Sequence, residues 1–309
     1  MERIPETIVH YGRFNPAHRT GGVEAFATSL QLAFEEVRYL DSSHDGPGSP
    51  AMQQVIAHRL PVVCDNHLVM DWPDGYPVIG FQHGVAAEKK FVTRSWTDWS
   101  LARKQARAAQ RKSTVWVACA KWISDEFARR HGNPAQHVIY HSVDTDLFDG
   151  RLANRESKLV LHDGRSRHKG RDLYPTLQSA LPDWRFEPLS CPPQQVPDRM
   201  RTARAFMHLS QYEGNSIVCN EAMAMGLPCL FTRVGLMRDG EPLDVRIVEV
   251  GQAYGRPPGL IECVRSFLDG LDGHTYSPRD WIMQHTSQRE FVKGWQDVMA
   301  SWRNITTDG

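Results

Sequence analysis

The chain reads as an α/β protein made of two Rossmann-like domains, and three observations predict this. Short apolar runs alternate with amphipathic segments of helical spacing along the whole length. Two of the runs, at residues 7–13 and 158–164, each lead through a Gly-containing loop into a helix-like segment, as a Rossmann-like unit opens. A length of 309 residues accommodates two domains of ordinary size.

Composition narrows the class. Hydrophobic residues make up 41% and charged residues 23%, which describes a globular chain rather than a disordered or fibrous one. Lys+Arg and Asp+Glu balance at 36 each, so the overall charge demands neither nucleic acid nor a membrane. The six cysteines (Cys64, Cys119, Cys191, Cys219, Cys229 and Cys263) form no C-x-x-C pair and mostly lie in apolar runs, so buried thiols and a reducing, cytoplasmic setting are expected. The opening MERIPETIVHYG passes straight into a strand, unlike a signal peptide, and no apolar run approaches the ~18 residues that span a bilayer.

In the first half, the strand at 7–13 is followed by FNPAHRTGG and a helix over 23–34. This loop has no G-x-G-x-x-G, so a dinucleotide is not supported. Gly21 and Gly22 suit either a tight turn of positive φ or close backbone approach to a ligand. Strands at 36–40 and 60–64 flank a helix at 51–58. The strand at 76–82 ends in His83-Gly84, which places an imidazole where α/β sheets bind ligands. Residues 94–112 form an amphipathic helix. Arg103, Lys104, Arg107, Arg111 and Lys112 lie on one face, with Trp96, Trp99, Ala102, Ala106 and Ala109 on the other. Peripheral membrane contact, a polyanion face and a surface helix packed on the sheet by its Trp–Ala side all fit this pattern. A strand at 114–119, a helix at 121–130 and HVIYHSVDTDLF at 137–148 close this half.

The second half places its cations first. GRSRHKG, residues 164–170, is a Gly-bounded basic loop after a strand, suited to a diphosphate. A helix over 171–181, a strand over 184–189 and a Pro-rich connection lead to a buried strand at 203–210. Beyond it lie Glu213 and Glu221 with seven residues between them. Gly214-Asn215-Ser216 marks a turn, and Asn215 or Ser216 can cap the helix that carries Glu221. The unpaired N–H groups at that helix start, through Ile217, make an anion site beside two carboxylates that can accept from sugar or ribose hydroxyls. Strands at 228–232 and 245–250, a helix at 260–271 and one long helix over 278–302, with Trp281, Phe291, Trp295 and Trp302, complete the chain.

The E-x7-E pattern followed by A-M-A-x-G-x-P resembles the donor-site signature of retaining GT-B glycosyltransferases of the family-4 type. Four further elements resemble that family in the same order. They are Gly21-Gly22-Val23-Glu24 for G-G-x-E, the strand-ending His83-Gly84, HVIYHSVDTDLF for V-I-x-N-G-V-D-x-x-x-F, and GRSRHKG for G-R…K-G. His141 and Ser142 replace the usual Asn and Gly, and the basic loop is one residue shorter, so Arg167 or His168 can share its role.

The resemblance implies a GT-B fold with two Rossmann-like domains facing across a cleft. It divides the chain into an acceptor-side domain over 1–148, a nucleotide-sugar domain over 149–280 and a helix over 281–309 that crosses back to the first. It implies transfer of a sugar, a hexose, from a UDP- or GDP-sugar to a glycan or lipid-linked acceptor with retained configuration, and no cofactor. Arg165, Lys169 and the Asn215–Ser216–Ile217 helix start would meet the diphosphate, Glu221 the ribose and Glu213 the donor sugar. Gly21, Gly22 and His83 would line the acceptor side, with the Gly21-Gly22 backbone also approaching the donor phosphates. Asp144-Thr145-Asp146 is a formal D-x-D, read here as an interdomain linker with no metal. Two other readings fit parts of the chain: a glycosyltransferase acting on a modified nucleic-acid base, and a non-catalytic nucleotide-sugar binder docked through residues 94–112.

Overall fold

The computed structural model describes residues 3–13, 22–152 and 155–307. The chain divides into two compact units, Met1–Ser142 with Gln288–Gly309, and Val143–Ser287.

The first unit holds strands β1 (Ile4–Gly12), β2 (Phe34–Asp41), β3 (Val62–Asp65), β4 (Val78–Gln82), β5 (Thr114–Ala118) and β6 (His137–Val138). Its helices are α1 (Gly22–Ala33), α2 (Pro50–Ala57), α3 (Ala86–Thr93), α4 (Trp96–Ala108) and α5 (Lys121–His131). The strands form one sheet in the order β2-β1-β3-β4-β5-β6, and every pairing is parallel. Every residue of β3, β4 and β5 is buried, because helices cover both faces of a parallel sheet. That is why these strands read as continuous apolar runs rather than alternating ones.

The second unit holds β7 (Leu159–His162), β8 (Arg185–Pro188), β9 (Ala205–His208), β10 (Cys229–Thr232) and β11 (Arg246–Val248). Helices α6 (Tyr174–Ala180), α7 (Val196–Thr202), α8 (Ile217–Ala224), α9 (Val250–Ala253), α10 (Pro257–Asp269) and α11 (Pro278–His285) surround them. This sheet is also all parallel, in the order β11-β10-β9-β7-β8. Val160, Leu177, Leu209, Leu230 and Phe267 lie in its core. All six cysteines are free and five are buried.

Four local expectations change. The single helix expected over 278–302 is two, α11 and α12 (Gln288–Thr307). Thr286 ends α11 by turning both its N–H and its Oγ1 to the Ile282 carbonyl, while its own carbonyl accepts from the Val143 N–H. Helix α12 belongs to the first unit. There Trp295 is fully buried near Phe26, Phe34 and Phe81, and Trp302 Nε1 donates to the Pro77 carbonyl at 3.1 Å. The Pro-rich connection contains α7, with Pro197 in its first turn, where a missing N–H is harmless.

The faces of the 94–112 helix also differ. Arg111 is buried and donates to the carbonyls of Trp72, Pro73 and Tyr76, whereas Trp96 is 88% exposed. The buried stripe of α4 is instead Asp98, Gln105 and Ala108. Asp98 accepts from Thr93 Oγ1 at 2.6 Å and Gln105 donates to the Gly84 carbonyl at 2.9 Å. The fourth difference is α3, which starts at Ala86 with no side-chain cap and so leaves no sequence signal at its N-terminus.

Candidate donor and acceptor sites

In the second sheet the chain turns opposite ways on leaving β7, to β8 on one side and eventually to β9 on the other. Between β7 and β9 lies the topological switch point, where open α/β sheets bind ligands at the carboxyl ends of their strands. Asp163 follows β7 directly and His208 ends β9. Both are buried.

A compact charged cluster forms here. Arg165 Nε reaches Asp163 Oδ1 at 2.5 Å and Lys169 Nζ reaches Asp163 Oδ2 at 2.9 Å. Lys169 Nζ also lies 3.1 Å from Glu213 Oε1, which His208 Nε2 approaches at 3.1 Å. The short basic loop allows this because Arg167–Lys169 make one 3-10 turn that swings Lys169 back over the strand end. Gly170 closes the turn at φ +83°, and a Cβ there would sit 2.6 Å from the Leu209 carbonyl oxygen, so only glycine fits. Arg167 turns outward to Asp172 and His168 Nδ1 pairs with Ser166. Arg165 and Lys169 are therefore the two cations that converge.

The protonation states follow from this geometry. Burial opposes ionisation of Glu213, but His208 and then Lys169 hold it down at about 2. Burial likewise opposes an imidazolium at His208, yet Cys219 and Glu213 push it up to about 10. Asp163 stays below the usual carboxylate range despite burial, because Lys169, His208 and Arg165 surround it. Lys169 is raised by Glu213 and Asp163 against its own desolvation. At neutral pH three cations thus face two carboxylates, and Arg165 keeps a half-exposed guanidinium for a further anion.

Helix α8 begins beside this cluster. Ser216 occupies its N-cap position with extended backbone and makes no side-chain cap. The buried Asn215 accepts from Asn220 Nδ2 at 3.2 Å. Ile217 opens the helix, where intrahelical bonding leaves the N–H groups unpaired. A cavity of about 10 Å³, roughly one water's room, is lined by His208, Glu213, Ser216, Cys219 and Asn220. One turn further on, the Glu221 carboxyl is pushed up to about 8 by burial and then by the charge of Asp163. It is therefore mostly protonated at neutral pH.

Asp163 and His208 escaped the sequence reading. Each left a signal: an acid just before Gly164-Arg165, and a polar residue ending an otherwise apolar strand five positions before Glu213.

His83 and Gly22 belong to the first unit, and Gly21 lies outside the described residues. Gly22 is the first residue of α1. His83 follows β4, with its N–H on Asn66 Oδ1 at 3.1 Å and its Nε2 at 2.9 Å from Asp65 Oδ1. In the D-x-D, Asp144 Oδ1 accepts from the N–H groups of Asp146 and Leu147, a local turn cap. Among the described residues no group of three or more His, Cys, Asp or Glu is placed to hold a metal, and no helix is long and apolar enough to cross a membrane.

Residues 187–240 match the family described as glycosyl transferases group 1. This span covers β9, Glu213, α8 and β10. No curated protein matches the chain. Solved structures share its fold at low identity. The Anabaena protein HepE, solved with UDP and glucose, superposes with a TM-score of 0.70 at 14% identity over 96% of this chain and 100% of its own. Sucrose-phosphate synthase from Thermosynechococcus elongatus gives 0.71 at 12% identity over 98% and 100%. AviGT4, a glycosyltransferase of avilamycin A biosynthesis, gives 0.62 at 13% identity over 99% of each chain. Two parallel-sheet α/β units with these likenesses make the fold GT-B.

Proposed function

We propose that the chain is a glycosyltransferase that moves a hexose from a nucleoside-diphosphate donor, a UDP- or GDP-sugar, to a glycan or lipid-linked acceptor with retained configuration. The observation that carries this reading is the cluster of Arg165, Lys169, His208, Asp163 and Glu213 at the switch point of the second sheet. The match of residues 187–240 to group 1 glycosyl transferases and the UDP and glucose held by HepE support it.

The chemical problem is the charge that develops on the leaving diphosphate as the sugar becomes oxocarbenium-like. Arg165, Lys169 and the amides at the start of α8 meet those oxygens with groups already oriented, which lowers the barrier without reorganisation. Glu213, fixed by Lys169 and His208, holds the donor sugar's hydroxyls. Glu221 takes the ribose hydroxyls. Gly21, Gly22 and His83 serve the acceptor. The acceptor hydroxyl attacks the face that the diphosphate leaves, and a phosphate oxygen takes its proton.

A lipid-linked acceptor is favoured by the surface around α3 and α4. Phe91 is 64% exposed and Trp96 88%, and every exposed charged residue over 91–112 is a cation: Arg94, Arg103, Lys104, Arg107 and Lys112. Lys90 Nζ lies 4.9 Å over Phe91 and 3.9 Å over Trp99, which occupies ring faces that nucleic-acid bases would need for stacking. Exposed aromatics on a segment whose exposed charges are all cationic suit an anionic membrane surface. Binding to phosphatidylglycerol vesicles that Trp96→Ser weakens checks this part of the reading.

The central test is turnover with UDP- and GDP-sugars. Lys169→Ala and Glu213→Ala should each lower kcat/KM by about 10²–10³, the scale of a lost preorganised contact. Near-parental rates in both variants would remove the site assignment. The anomeric configuration of the product, read by NMR, decides retention.

A further inference from the structure

The first sheet has its own switch point, between β1 and β3. A buried polar chain lies across it and has no part in the donor site. His10 Nε2, from β1, is 2.9 Å from Asp65 Oδ1, the last residue of β3. His83 Nε2, from the end of β4, is 2.9 Å from the same oxygen. His10 and Asp65 are 0% and 5% exposed, and the His83 side chain retains 11%.

A carboxylate oxygen only accepts hydrogen bonds, so both imidazoles must carry their proton on Nε2. Asp65 stays ionised because His10 and His83 together outweigh the cost of its burial. Among the described residues His10 Nδ1 is buried with no partner. At such a buried position an unpaired lone pair is tolerated more readily than an unpaired N–H. Each imidazole thus directs Nε2 at Asp65, which in a neutral ring puts the lone pair on Nδ1, and only His83 reaches solvent.

The surroundings fix the ring. Phe26 lies edge-on to His83 at 5.0 Å, Phe81 is tilted against it at 4.8 Å and 56°, and His141 stacks on it at 5.8 Å and 18°. Burial pushes His141 down to about 3, so it is a neutral packing surface. The Asp65 carboxylate also has room that only glycine leaves: a Cβ on Gly12 would stand 2.5 Å from Oδ2. Asn66, which anchors the His83 N–H, is held at a left-handed φ of 50°. Such strain in a non-glycine residue persists where its surroundings impose it.

We propose that Asp65 is a positioning residue and His10 its clamp: together they lock His83 as the Nε2–H tautomer and present Nδ1 as the acceptor for a substrate hydroxyl. This rests on the glycosyl-transfer reading for the identity of that hydroxyl, which belongs to the acceptor. The tautomer itself is independent of that reading.

The experiment has two arms on the full chain. Long-range ¹H–¹⁵N NMR of ¹⁵N-histidine protein, with His83→Gln to assign the ring, should show His83 protonated at Nε2 and bare at Nδ1. Asp65→Ala should release it to mixed tautomers. A wild-type His83 protonated at Nδ1 overturns the proposal whatever the activity. In the kinetic arm, Asp65→Ala and His10→Gln should lower kcat by about 10–100-fold, the range for lost supporting contacts. Their donor KM should stay within about threefold of the parent. Asp65→Asn keeps an acceptor oxygen and should recover part of the loss. Unchanged kcat in a folded Asp65→Ala protein, checked by its melting curve, also overturns it. A wild-type protein that transfers no sugar while its tautomer is as stated removes the glycosyl-transfer reading instead.

Discussion

Glu213 and His208 set opposite pH limits on the stability their pair contributes. Glu213 is held at about 2, below its ordinary 4.5, so its contribution is complete above pH 4.5 and is lost as pH falls toward 2. His208 is raised from 6.5 to about 10, so its contribution is complete below pH 6.5 and is lost as pH rises toward 10. Urea unfolding should therefore show the stability gap between parent and Glu213→Gln widest near pH 5–6 and narrowing on either side. Glu221 behaves in the reverse sense. Raised to about 8, it is protonated in the free protein, and a ribose diol that donates to it favours the ionised form. Affinity for UDP-glucose should rise between pH 6 and 8, by up to about tenfold per unit, with proton uptake or release followed by calorimetry in two buffers. Glu221→Gln should flatten that rise.

At the scale of elements, the GRSRHKG turn and helix α12 each depend on one tight fit. Gly170→Ala forces a Cβ into the Leu209 carbonyl at a positive φ. It should destabilise the protein by about 1–3 kcal/mol and weaken donor binding, because Lys169 is the preceding residue. Trp295 is fully buried on α12 among Phe26, Phe34 and Phe81. Trp295→Ala should cost about 3–5 kcal/mol in thermal or urea unfolding. Arg111 shows why α4 misled a reading from periodicity: its position repeats that of Arg103 and Arg107, yet its guanidinium caps three loop carbonyls from the inside. Helical spacing tells which residues share a face. It does not tell which neighbour offers that face unpaired acceptors.

For the whole molecule, the second unit is one continuous segment with its own core, whereas the first needs residues from both ends of the chain. A fragment spanning 143–287 should fold alone and keep UDP affinity within about tenfold of the full chain, measured by calorimetry. A fragment ending at 142 should not fold without 288–309, since Trp295 and Trp302 complete its packing.

Much of this was legible from residue order. The central strands of both sheets appear as apolar runs because parallel strands there are buried on both faces, and the Gly-bounded cations and paired glutamates mark the ends of β7 and β9. Those signals are local, and local patterns are what a sequence records. The breaking of the last helix at Thr286, the outward turn of Trp96 and the choice of Lys169 over Arg167 depend on neighbours distant in the chain. Asp163 and His208 became part of the charged cluster, and His10 and Asp65 the neighbours of His83, only when strand order set β7 beside β9 and β1 beside β3. The sequence by itself determined two parallel α/β sheets and the residue types at their edges. Tertiary structure decided which of those residues share a proton or a charge, because strand order, not chain position, brings buried polar groups within bonding distance.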